Sequence, residues 1–299
     1  MNRLTSSRSY ETGLENNEWN PADYFNSYFN AFSYDANGNI LTQQRHKRDG
    51  TPIENMSYQY QNDVNGKLMR NRLYHINDDV ADNVDQTDID DMGTFINDPE
   101  FIATDNNYVY DAEGRLVKDK QEEIDLITWR VDGKVKEILR PLDSDKKNVS
   151  FDYDAMGNRI AKHVFDDDWN LEKSTYYILD AQGNQLSTYE HVVEGENVFF
   201  KLNERMIYGS SRLGNMNEKV DLYASNFAKN TSGIVGLKSY ELSNHLGNVL
   251  TVISDLKIPV DNTNDGTVDY YLADIVNTTD YSPFGVELDE RTMSNWEYR

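Results

Sequence analysis

One short phrase recurs along the chain and limits what it can fold into. Its clearest copy is Phe151 to Phe165, FDYDAMGNRIAKHVF. Phe151 and Tyr153 stand two apart and share a face of a strand, Asp154-Ala155-Met156-Gly157 carries turn chemistry, and Ile160 opens a second alternating run. An Asp at the first turn position accepts bonds from backbone amides two or three residues on, and a Gly three residues later takes the positive φ that closes the turn. The phrase therefore predicts a β-hairpin.

Related phrases place Phe32, Tyr34, Asp35, Gly38 and Ile40 in the same roles, then Tyr58, Tyr60, Gly66 and Leu68 with one inserted residue. Further copies run through Tyr108, Tyr110, Asp111, Gly114 and Leu116, and through Trp129, Gly133 and Val135. Beyond Phe151 come Tyr177, Asp180, Gly183 and Leu186, a weaker copy around Tyr208 and Gly214, and Tyr240, Gly247 and Val249. Gly133, Gly157 and Gly183 lie about 25 residues apart, what two strands of ~5–6 residues and two turns consume. Self-similarity of this kind signals a repeat architecture. With 20 Tyr and 11 Phe against 6 Pro, composition agrees with short strands joined by tight turns. The predicted fold class is all-β, an array of hairpins forming a curved antiparallel sheet.

Three regions divide the chain: a lead-in over 1–31, a repeat sheet over 32–255, and a distinct ending over 256–299. The aromatic end of the lead-in, Trp19, Tyr24, Phe25, Tyr28 and Phe29, is expected to dock on the first hairpin. Inside the repeats, 75–107 is an acidic insertion without a clean period, and Asp78 to Asp91 within it reads as a solvated loop. The ending offers a polar loop, two Tyr-rich strands and a Pro-Phe-Gly turn at Pro283 to Gly285. Trp296 and Tyr298 close the sequence as an apolar strand end, so the natural chain is expected to continue.

Taken together, the Tyr-Asp-x-x-Gly phrases resemble the YD repeat of the Rhs family, from Phe32 to about Asp255. YELSNHLGNVLTVISD followed by TDYSPFG, Thr279 to Gly285, resembles the start of the Rhs repeat-associated core in its Bacteroidetes-type version. The resemblance implies a spiralling β-shell that holds a C-terminal toxin domain, in a secreted or surface-exposed bacterial protein. Its partners would be that toxin domain and the remaining shell. The family's later core, with the Asp-Pro motif used for self-cleavage, has no counterpart here, so no cleavage residue is assigned. An extracellular binding or adhesin module on the same sheet is the alternative, since a ladder of aromatic rings suits sugars as well as cross-strand packing.

A net charge of −23 argues against a nucleic-acid backbone as partner, because no Lys/Arg excess exists to displace its counterions. The absence of Cys removes disulfides and thiolate metal sites. No apolar run approaches the ~20 residues of a membrane span, and Met1 to Gly13 lacks a signal-peptide core, so neither insertion nor self-targeting to a membrane is expected.

Catalysis finds little support. His46, His75, His163, His191 and His245 lack metal-ligand spacing and read as structural, His245 being the best placed of them in its turn phrase. Ser210-Ser211 beside Gly209 lacks the strand-to-helix pattern of a nucleophile elbow. Carboxylates are too numerous for one pair to stand out as a glycosidase acid and base. The expectation is a non-enzymatic segment without cofactor, catalytic residue or metal site.

Eight hairpins supply sixteen strands, and at ~4.8 Å per strand these roll into a ring roughly 25 Å wide. A folded domain of ~100 residues needs about 33 Å. An open sheet with unpaired edges, unable to enclose a domain alone, is expected.

Asp261, Asp265 and Asp269 with Gly266 imitate a calcium loop, yet Thr263 and Leu272 replace two of its usual ligands. The segment reads as an Asx-rich turn. Calorimetric titration of the purified chain should show no saturable calcium binding below the millimolar range, and tight binding would make the loop a metal site.

Overall fold

The computed structural model describes residues 3–9, 27–80, 94–97, 106–195, 197–223 and 233–294. Every element among them is a strand, and all strand pairs are antiparallel. No helix is long and apolar enough to cross a membrane among these residues.

Two compact units divide the chain, Met1–Thr128 with Ile138–Lys146, and Trp129–Glu137 with Lys147–Arg299. The first holds β1 (Ser6–Ser7), β2 (Asn30–Tyr34), β3 (Ile40–His46), β4 (Pro52–Asn62) and β5 (Leu68–Asp78), a five-stranded sheet in sequence order. It also holds the separate hairpin of β6 (Tyr108–Tyr110) and β7 (Leu116–Asp119). Next come β8 (Leu126–Trp129) and β9 (Val135–Leu139), whose tip belongs to the second unit.

The second unit continues with β10 (Asn148–Tyr153), β11 (Arg159–Phe165), β12 (Leu171–Leu179), β13 (Gln185–Glu194) and β14 (Asn197–Tyr208). It ends with β15 (Arg212–Asp221), β16 (Lys238–Ser243), β17 (Val249–Val260), β18 (Tyr270–Tyr281) and β19 (Glu287–Ser294). The order β8 to β19 is again that of the sequence, so each sheet is an open meander. Nineteen strands are described where sixteen were expected; Ser6–Ser7 of the lead-in and the two strands of the final hairpin are the three additional ones.

Turn chemistry builds the hairpins. Gly38, Gly114, Gly157 and Gly183 all take positive φ, between 83° and 99°. In each turn the Asp amide and the Gly amide close backbone bonds, as in Asp154 N to Asn158 O at 2.9 Å and Gly157 N to Asp154 O at 3.1 Å. The register then shifts by one residue at the strand end, between Asp152 and Tyr153 for this hairpin. That shift is the bulge a positive-φ residue creates.

The copy around Tyr208 is corrected. Its turn lies at Gly209 to Ser211, closed by Gly209 N to Ser211 O at 2.9 Å, while Gly214 sits inside β15 opposite Tyr240. A Cβ at Gly214 would come within 1.9 Å of the Ser239 carbonyl oxygen, so glycine there permits close strand approach. One of the Asp-to-Asn turns carries no glycine: Trp169, with φ 63°, closes Asp166–Asn170 between β11 and β12.

Of the lead-in aromatics, Tyr28 is buried and Phe29 half-buried, and the Phe29 ring lies 5.5 Å from that of His46 at the end of β3. Trp19, Tyr24 and Phe25 lie outside the described residues, as do Trp296, Tyr298 and positions 81–93 and 98–105 of the acidic segment. β5 extends to Asp78, four residues into that segment. Its described parts are tied down by asparagine amides acting as short ladder rungs. Asn97 donates to Asn62 O and accepts from Asn62 N, and Asn106 does the same with Ile96.

Neighbouring hairpins are linked where their ladders stop. Tyr60, Tyr153, Tyr208 and Tyr281 donate to the carbonyls of Ile40, Val135, Gln185 and Val249, at 2.8 to 3.0 Å. Each acceptor is the first residue of the preceding strand, beyond the last backbone pair. The hydroxyl supplies the donor that the diverging backbone no longer offers, which explains Tyr rather than Phe at this place. Tyr153→Phe is expected to lower stability by about 0.5–1.5 kcal/mol in urea unfolding, whereas Tyr177→Phe, whose hydroxyl makes no such bond, should stay near the parent. Gly157→Val should cost about 1–3 kcal/mol through its forced positive φ, and an unchanged midpoint would contradict the turn assignment.

Candidate functional site

Residues singled out for chemistry fall into separate structural roles. In the turns, the Asp carboxylate works as a backbone cap. Asp154 Oδ1 accepts from the amides of Met156 and Asn158, both at 2.8 Å, and its Oδ2 accepts from Asn158 Nδ2 at 3.0 Å. Asp35, Asp166 and Asp180 repeat the pattern with Asn39, Asn170 and Asn184. The Asn side chain and backbone amides stabilise the charged form and hold Asp154, Asp166 and Asp180 below the usual carboxylate range.

The calcium-like loop, between β17 and β18, turns its carboxylates on its own backbone. Asp261 accepts from Gly266 N at 2.8 Å, Asp269 from Asn262 N at 2.8 Å and Asp265 from Thr267 N at 2.8 Å. These bonds are those of an Asx-rich turn. Among the described residues no group of three or more His, Cys, Asp or Glu converges for a metal ion.

The histidines are dispersed. His75 is fully buried in β5, its Nδ1 accepting from Asn107 N at 3.2 Å, and His46 Nδ1 lies 3.2 Å from Phe29 O. His191 is in β13 and His245 in the Asn244–Asn248 turn. His163 forms an arrangement the sequence did not suggest: Nδ1 lies 2.8 Å from Ser174 Oγ and Nε2 3.1 Å from Asp152 Oδ2, across β10, β11 and β12. It has the members of a Ser-His-Asp triad, but Ser174 is 0% exposed while Asp152 faces solvent. A nucleophile must reach a substrate, and here the hydroxyl is the sealed end. The trio is a cross-strand polar ladder.

One concave feature stands out in the second unit. At the turn edge of β8 to β13, where successive hairpins part, lies a groove of about 550 Å³. Trp129, Tyr153 and Tyr177 supply its rings, Lys134 and Arg159 its charges, and Gln185 an amide. Arg130 lies over the Tyr153 ring at 5.2 Å, and Arg159 over Phe151 at 4.3 Å. No carboxylate lines the groove. Its residues come from hairpins separated by about 25 positions, so only the repeat's period hinted that they meet.

No protein-family model matches the chain, and no curated protein does. Among solved structures, the crystal structure of TcdB2-TccC3-TEV is similar at 14% identity and TM-score 0.29, over 87% of this chain and 10% of that one. The crystal structure of TcdB2-TccC3-Cdc42 is similar at 12% identity and TM-score 0.28, over 91% and 13%. The Photorhabdus luminescens Tc holotoxin pore is similar at 11% identity and TM-score 0.25, over 87% and 14%. The chain thus spans a small fraction of those proteins, and at these values they assign it no role.

Because the turn carboxylates have lowered pKa values, their contribution is present above the unfolded carboxylate range and is lost as pH falls through the folded values. The combined Asp154→Asn, Asp166→Asn and Asp180→Asn variant should therefore be less stable than the parent at pH 7. The gap in denaturant midpoint should close toward pH 2, and a gap independent of pH would contradict the carboxylate role.

Proposed function

We propose that this chain is a structural, non-catalytic segment of a bacterial toxin-encapsulating shell of the Rhs type, exported or displayed at the cell surface. What supports the reading is repetition. Hairpin after hairpin uses the same turn carboxylate and positive-φ residue, and four use the same tyrosine link to the strand before. Such a unit adds wall in one dimension. The YD phrases from Phe32 to Asp255 and the ending at Thr279 to Gly285 supply the family context. In this reading the partners are a C-terminal toxin domain and the remaining shell, which would cover the outer strands.

The carboxyl-free aromatic groove favours the second reading, an extracellular binding or adhesin module on the same sheet. The two differ at the sheet edges. Outer strands made to be continued by more wall are templates for pairing, so sedimentation velocity on the isolated chain should show association that grows with concentration. A concentration-independent monomer would overturn the shell reading in favour of the binding module.

A further inference from the structure

The groove at the turn edge of the second unit has a period, a charge and a width. Trp129, Tyr153 and Tyr177 stand on β8, β10 and β12, every second strand, so at ~4.8 Å per strand the rings recur every ~9.6 Å. A ligand that meets all three in equivalent fashion must repeat at that distance. An extended β-peptide returns a side chain to one side every ~6.7 Å, which falls out of step at the second ring. An α-helix rises ~5.4 Å per turn, so two turns take ~10.8 Å and run ahead of the ring spacing. A polyproline II chain repeats every three residues at ~3.1 Å each, or ~9.3 Å, and remains in step along the groove.

Charge selects further. Lys134 and Arg159 are exposed and have no ion-pair partner among the described residues, in a chain of net charge −23. Arg130, over Tyr153, is held by Asp132 at 3.1 Å. Two uncompensated cations beside aromatic rings favour a ligand that carries carboxylates. Gln185 lies in the same lining with an amide able to meet a ligand carbonyl.

We infer that this groove is a docking site for an acidic, proline-rich peptide segment of another polypeptide, bound in the polyproline II conformation across the β8–β9, β10–β11 and β12–β13 hairpins. Rings spaced by one turn accept successive proline-bearing turns, a use of aromatic grooves that gains from the ligand's preformed, low-entropy backbone. Lys134 and Arg159 bind acidic residues placed once per turn. The site is independent of the shell reading, since edge association and peptide binding are measured separately.

The test is titration of the full chain with a synthetic peptide of repeated Pro-Pro-Glu triplets, followed by tryptophan fluorescence and calorimetry. Saturable binding is expected, weakened about tenfold or more by the Lys134→Gln/Arg159→Gln pair and by Tyr177→Ala, with the circular dichroism spectrum of each variant unchanged. A Pro-Pro-Lys peptide should not bind. Three outcomes would overturn the proposal: no saturable binding to the millimolar range; equal binding of a flexible Gly-Ser-Glu repeat, which would reduce the effect to charge alone; or binding of an acidic oligosaccharide in place of the peptide, which would make the groove a glycan site.

Discussion

The structure depends on side-chain oxygens, most often an Asp carboxylate, that accept backbone amides at the hairpin tips. Three acceptor bonds at Asp154, and the same at Asp35, Asp166 and Asp180, fix the chain reversal locally. Local fixing matters because burial does little to choose the register here. In these sheets the fully covered positions include many small polar residues, among them Ser174, Thr188, Asn215, Ser239 and Thr279, rather than a continuous apolar layer. Where hydrophobic patterning is weak, a strand can slip by one residue, exchanging its faces. A turn that accepts only one spacing of Asp, positive-φ residue and Asn prevents that slip.

A second consequence follows at the same edge. Turns of the repeat add a bulge, as at Asp152/Tyr153 and Ile178/Leu179, and bulges increase twist and bend their strand. Neighbouring hairpins therefore part near their tips, leaving carbonyls without ladder partners. The tyrosine hydroxyls of the repeat close those carbonyls one by one, and between β8 and β13 the space that remains is the groove. Of its three rings, Tyr153 serves this linkage. The charged ends of Lys134 and Arg159 take no part in it, having no ion-pair partner among the described residues.

Much of this was legible in the residues. Asp followed by Gly three positions on located the turns at Gly38, Gly66, Gly114, Gly157 and Gly183, because only a residue tolerant of positive φ fits there. The same rule failed where glycine and turn parted company. Trp169 takes the left-handed conformation between β11 and β12, held by Asp166 and Asn170, and the Asp-to-Asn spacing of four was the signal to read. Gly214 misled in the opposite direction, being required by close strand approach rather than by a turn. The His163 ladder and the groove were hidden for another reason. They unite residues from different hairpins, and a single sequence shows the period of a repeat but not which side chains of successive copies face one another.

Charge arrangement connects the fold to what the molecule can recognise. The chain carries 52 acidic against 29 basic side chains, yet many carboxylates are engaged before any partner arrives. Those in the turns accept amides. Others lie covered against arginine across the strands: Glu54 with Arg45, Glu218 with Arg205 and Glu241 with Arg212, their side chains 2%, 3% and 9% exposed. Covered pairs of this kind add little net stability but penalise any register that separates them. Lys134 and Arg159, like several other described cations, have no ion-pair partner among the described residues; what sets them apart is their place beside three rings in one groove, and that placement makes recognition of an anionic, regularly repeating chain the chemistry this surface is suited to perform.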